Sequence, residues 1–204
     1  MAFLSVTAWS KTDVEILDDW TKTNENRLIQ KYPIIQSKWF ETECLKLAHN
    51  LQFKHINKCQ VFNSEIINAY VFNDGHVYFS LGMMQQINNR QQWAAVLAHE
   101  NAHVVLQHYL KMLRKLKKPG VFFPKSKIKK MMKQHEVEAD MWSEQQLIAN
   151  NMDYSQISYF FERVKTLKAK GKSTHLKLSK RIKHTKYSEI IDKTLIRNIH
   201  GLNH

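Results

Sequence analysis

WAAVLAHENAHVVLQHYL (Trp93–Leu110) sets two histidines, His99 and His103, four residues apart and puts Glu100 directly after the first. Almost everything around them is apolar: Trp93, Ala94, Ala95, Val96, Leu97, Ala98, Ala102, Val104, Val105 and Leu106. On an α-helix, residues four apart lie on one face, about 40° apart around the axis. Two imidazoles and a carboxylate in so apolar a run cost several kcal/mol to bury unless each has a partner. A single tetrahedral metal ion satisfies both imidazoles at once. Glu100, about 100° round from His99, sits beside such an ion without binding it, where it can take a proton from an activated water. The stretch therefore predicts a buried zinc-binding helix. Asn89 caps it, Gln92 three residues on completes a capping-box pattern, and the helical pattern runs unbroken to Lys115.

A catalytic zinc usually takes three protein ligands and leaves one position for water, so a third ligand is expected from another element. QHEVEADMWSEQQL (Gln134–Leu147) supplies it. Glu136 and Asp140 are four apart and share a helical face, whereas Glu138 points elsewhere. Glu136 is read as the third ligand. Asp140 is read as the acceptor of a ligating histidine's free N–H, which fixes that ring's tautomer. Ala139, Met141 and Trp142 predict partial burial of this helix. His108, one turn beyond His103, faces partly away from the ligands and is left outside the site.

Working outward, the first fifty residues show apolar positions at helical spacing on both sides of Pro33, which predicts two helices. The period then changes. CQVFN, INAYVFN and HVYFSLG are short and rich in β-branched or aromatic residues, and Asn73-Asp74-Gly75 is a hairpin signal, so a small antiparallel sheet is expected over residues 59–82. Helices are expected again from Ile128 to Ala149 and from Tyr154 to Ala169, with a last one beginning near Lys177. The fold class is α+β, a mostly helical single domain spanning residues 1–204: N-terminal helices over 1–58, the sheet, then the zinc-site helices and their loop over 89–182.

The two cysteines, Cys44 and Cys59, lack metal-ligand spacing and are either buried thiols or one disulfide. No apolar run is long enough to span a membrane, and MAFLSVTAWSK lacks the basic start and apolar core of a signal peptide. The chain is expected to be soluble: cytoplasmic as it stands, periplasmic or secreted if a leader was removed. Net charge is +13, much of it in Lys111–Lys133 and Lys165–Lys186. Such a balance attracts nucleic acid, anionic lipid or acidic protein. No nucleic-acid recognition motif or arginine-rich aromatic platform accompanies it, so no specific nucleic acid is expected.

HENAH followed by EVEAD resembles the HtpX-like and CAAX-prenyl-protease-like family of zinc metallopeptidases, whose pattern is HExxH then ExxAD. INAYVFNDGHVYFSLGMM resembles the family's segment upstream of the zinc helix, NMDYSQISYFFERVK its segment after ExxAD, and STHLKLSKRI its STHPxxxxRI signature, with Leu176 where proline is common. The resemblance covers roughly Val61 to Ile182. It implies a gluzincin metalloendopeptidase holding one zinc per chain on His99, His103 and Glu136, with Glu100 as general base and acid. It further implies that Asn68 and Ala69 lie at the cleft edge and pair with an extended substrate backbone. His175 is then aligned to stabilise the oxyanion, and Arg181 to partner acidic groups near the site. The expected partner is a protein or peptide substrate. The alternative is a catalytically silent, zinc-stabilised peptide-binding or chaperone-like module of the same fold. The basic segment KLKKPGVFFPKSKIKK, with Val121-Phe122-Phe123 between two prolines, joins the two ligand helices. It could be a lid, an anchor on an anionic surface or a docking patch for acidic substrates, and its tethering favours the lid.

Overall fold

Four short strands form one sheet whose spatial order is β1-β2-β4-β3. They are β1 (Ile34–Ile35), β2 (Lys58–Phe62), β3 (Ala69–Val71) and β4 (His76–Ser80). The computed structural model describes residues 11–116 and 124–169. The α+β class and the mostly helical content are as expected, but the sheet is mixed rather than antiparallel. The Asn73-Asp74-Gly75 turn does join β3 and β4 as an antiparallel hairpin. However, β2 runs parallel to β4, with Cys59 opposite Val77 and Val61 opposite Phe79, and β1 adds antiparallel to β2. The segment after β2 therefore carries the chain past β4 and leaves β3 at the edge. Glycine makes room for it: a Cβ on Gly82 would stand 2.3 Å from the Glu65 carbonyl oxygen. The hairpin needs its glycine too, since Gly75 sits at φ +86°.

Seven helices lie around this sheet among the described residues: α1 (Lys11–Lys31), α2 (Lys38–Asn50), α3 (Leu81–Met84), α4 (Arg90–Val105), α5 (His108–Leu116), α6 (Lys125–Ala149) and α7 (Tyr154–Ala169). The zinc-motif stretch is α4, and it is the central helix. Trp93 through Ala98 are all buried, and Trp93 stacks on Phe40 of α2 at 5.1 Å between centroids. Asn89 caps α4 by accepting from the Gln92 amide at 2.8 Å, while the Gln92 side chain accepts from Asn88 N–H at 2.8 Å. Two details of the expected pattern fail. Val105 and Met141 point to solvent. More importantly, the predicted single helix from residue 89 to 115 is two helices.

The break falls at Gln107, whose backbone is left-handed at φ 55°. Its N–H donates to Val104 O at 2.9 Å, closing α4, and α5 starts in a new direction at His108. Gln52 after α2 and Asn151 after α6 adopt the same conformation. There the paired bonds of a Schellman ending are complete, as in Gln52 N–H to His49 O and Phe53 N–H to Ala48 O, both at 2.9 Å. In a chain with five glycines, glutamine and asparagine fill positions that glycine usually takes.

Cys44 of α2 and Cys59 of β2 form a disulfide, both ends buried. It closes a loop of 15 residues across the helix–sheet junction. Chain-entropy arguments assign such a loop about 3 kcal/mol. A Cys44→Ala, Cys59→Ala double variant should therefore lose about that much stability in denaturant unfolding, with the fold retained. An unchanged midpoint would show that the bridge adds nothing to the packing already there. The far side of the sheet is covered by α1, anchored where Glu25 accepts from Tyr78 Oη at 2.5 Å and meets His76 Nδ1 at 2.6 Å. Burial works against the Glu25 charge, but these two partners outweigh it and hold the carboxyl below its usual range. No helix among the described residues is long and apolar enough to cross a membrane.

Candidate metal centre

α4 and α6 pack against each other, and their facing sides carry the titratable groups. His99 Nε2 and His103 Nε2 lie 3.3 Å apart. Glu136 reaches across from α6, placing Oε2 at 3.5 Å from His99 Nε2 and Oε1 at 3.7 Å from His103 Nε2. These three residues form one of two groups among the described residues with donor atoms close enough to share a metal ion. The spacing suits zinc: ligands about 2.0–2.2 Å from a tetrahedral ion are about 3.3–3.6 Å from each other. Two neutral nitrogens and one carboxylate oxygen are also the donor set that zinc favours.

Asp140, one turn after Glu136, puts Oδ1 at 3.0 Å from His99 Nδ1, within ion-pair distance of the nitrogen turned away from Glu136. Burial opposes a charge on His99, but hydrogen bonds with Asp140 and Glu136 prevail and raise its pKa to about 10. Burial and then the His99 charge push His103 down to about 3. A metal ion and a proton compete for the same imidazole lone pairs. Zinc has to displace the proton, so affinity rises with pH.

Glu100 is buried and lines the same cleft, a cavity of about 820 Å³. Ala69 on the edge strand β3 and Asn68 just before it line it as well, and among the described residues no strand pairs with the outer side of β3. Trp20, Arg27 and Lys31 of α1 stand across the cleft, and Phe161 of α7 packs 6.1 Å from the His99 ring. His175 and Arg181 lie outside the described residues, as do Val121, Phe122 and Phe123 of the basic loop.

Two further residues belong to this neighbourhood, and spacing placed the first of them, His108, outside the site. His108, with 2% side-chain exposure, is turned back by the Gln107 break so that its Nδ1 lies 3.0 Å from His103 Nδ1. Its Nε2 lies 3.1 Å from Glu138 Oε2. A straight helix would have pointed His108 elsewhere, and a left-handed glutamine has no reliable signature in sequence. Tyr109, next in the chain, stacks on both His103 and Trp20, at 6.2 and 4.4 Å between centroids.

Residues 35–124 match the model of peptidase family M48. The match contains the HExxH motif of the HtpX-like resemblance and ends before ExxAD, and it indicates metallopeptidase activity in general. It covers β2, β3, β4, α4 and α5, hence His99, Glu100, His103, Asn68 and Ala69. It stops before α6, so Glu136 and Asp140 join the M48-like segment through the packing of α6 on α4. No curated protein matches the chain.

Proposed function

We propose that the protein is a zinc-dependent metalloendopeptidase in which His99, His103 and Glu136 hold one zinc ion. The observation that carries this reading is the convergence of those three donor sets beside Glu100 in a cleft bordered by an open sheet edge. When bound, zinc supplies Lewis acidity, acidifying a water and polarising a scissile carbonyl. Glu100 accepts the proton of the attacking water and returns it to the leaving amine. Its burial in a mostly apolar cleft keeps bulk water from competing for that proton. The substrate is a protein or peptide whose extended backbone pairs alongside β3 at Asn68 and Ala69. His175 stabilises the oxyanion, and Arg181 partners acidic groups near the site. The lysine-rich sequence between α5 and α6 attracts acidic substrates.

The test is cleavage of a peptide library by protein stripped with a chelator and then reloaded with one equivalent of zinc. Cleavage should vanish on stripping and return on reloading. Full zinc occupancy without cleavage of any peptide would overturn the peptidase reading in favour of a silent zinc-stabilised binding module. Asp140 has a separate signature. Asp140→Asn keeps the shape but loses the carboxylate that orients His99, so zinc affinity should fall about 10–100-fold without being abolished. Unchanged affinity in a competition titration would make the His99–Asp140 pair incidental.

A further inference from the structure

The two histidine ligands do not share the same support. His99 Nδ1 meets a carboxylate directly, at Asp140. His103 Nδ1 meets another imidazole, His108, at 3.0 Å, and only beyond that ring does a carboxylate follow, Glu138 Oε2 at 3.1 Å from His108 Nε2. Two ring nitrogens 3.0 Å apart hold a single proton between them: two protons collide and none leaves facing lone pairs. The position of that proton follows from the ligand geometry. His103 turns Nε2 toward His99 and Glu136, so a metal there takes its Nε2 lone pair. A neutral His103 then carries its proton on Nδ1 and donates it, and His108 Nδ1 must accept. A neutral His108 is left with its proton on Nε2, aimed at Glu138.

We infer that Glu138 and His108 form a hydrogen-bonded relay that positions His103 and fixes its tautomer for metal binding, resting on the zinc reading above. His108 and Glu138 touch neither metal nor substrate and are positioning residues. Their surroundings hold each member in place. His135 stacks on the His108 ring at 4.2 Å with an interplanar angle of 2°. Gln134 Nε2 donates to the other oxygen of Glu138 at 2.9 Å, which leaves Oε2 for His108. One stretch of α6, residues 134–140, thereby supplies a ligand, the direct support of one histidine and the relayed support of the other. A carboxylate that reaches a ligand through a neutral ring acts by orientation and polarisation of a hydrogen-bond chain rather than by direct contact with the ligand.

The test uses the full chain and zinc alone, read by competition with a chromophoric chelator. His108→Leu should weaken zinc binding about 10–100-fold. Because His108 is buried, Glu138→Met serves as the second variant: Glu138 lies at the protein surface, and its loss should also weaken binding while leaving the fold intact. Glu138→Gln retains an oxygen that can accept from His108 Nε2 and should bind zinc more tightly than Glu138→Met. In ¹⁵N-labelled, zinc-loaded protein, the relay requires a protonated His103 Nδ1 with scalar coupling across the hydrogen bond to an unprotonated His108 Nδ1. Wild-type affinity in both His108→Leu and Glu138→Met, or a proton resident on His108 Nδ1, would overturn the relay while leaving the zinc site standing. A wild-type protein that binds no zinc would overturn both.

Discussion

Glu100→Gln should leave one zinc bound and the fold unchanged while peptide cleavage falls by about 10²–10⁴-fold, the range expected when a general base is removed. Glutamine has the volume of glutamate and can still hydrogen-bond, so the buried position stays filled. What it lacks is basicity. The comparison has to be made at matched metal content, because Glu100 adds to the negative field that favours a cation at His99. A variant that turned over peptides at close to the wild-type rate would remove Glu100 from the mechanism, whatever its distance from the metal.

Glu136→Ala should lose stoichiometric zinc altogether. Two imidazoles on one helix make an incomplete set for an ion that takes three protein ligands in catalytic sites, and among the described residues Glu136 of α6 completes it. Metal content after dialysis is the measurement. Activity should fall to background with it, and added zinc should not restore it at micromolar concentration. One full equivalent of zinc in Glu136→Ala, with loss in Glu138→Met, would mean that the neighbouring carboxylate is the ligand and that the relay has been assigned backwards.

How much of this was legible in the sequence depends on range. His99, Glu100 and His103 lie within one turn of helix, and Glu136 and Asp140 lie one turn apart, so each set can be read from periodicity alone. The structure brings the two sets within 3.5 Å. The α+β class followed from changes of hydrophobic period, and α7 has the boundaries that the pattern predicts. The parallel pairing of β2 with β4 was not legible, because it depends on how the chain between Asn63 and Asn68 crosses the sheet. The two-residue strand β1 is too short to have a period at all. The Cys44–Cys59 bridge is a contact between elements, and spacing left it open. His108 was missed for a different reason. Its burial depends on a left-handed backbone at Gln107, where local propensity favours continuing the helix.

The open side of β3 has a second consequence. A strand edge open to backbone pairing admits any extended chain, including a second molecule of the protein itself. Soluble proteins usually blunt such an edge with charge, a bulge or a cover. Here α1 stands over it, with Trp20 and Leu28 packed toward the sheet and Arg27 and Lys31 at the rim of the opening. A helix and two like charges leave a slot in place of an open ladder. The same wall that shapes the cleft thus narrows the approach of a second strand to that edge.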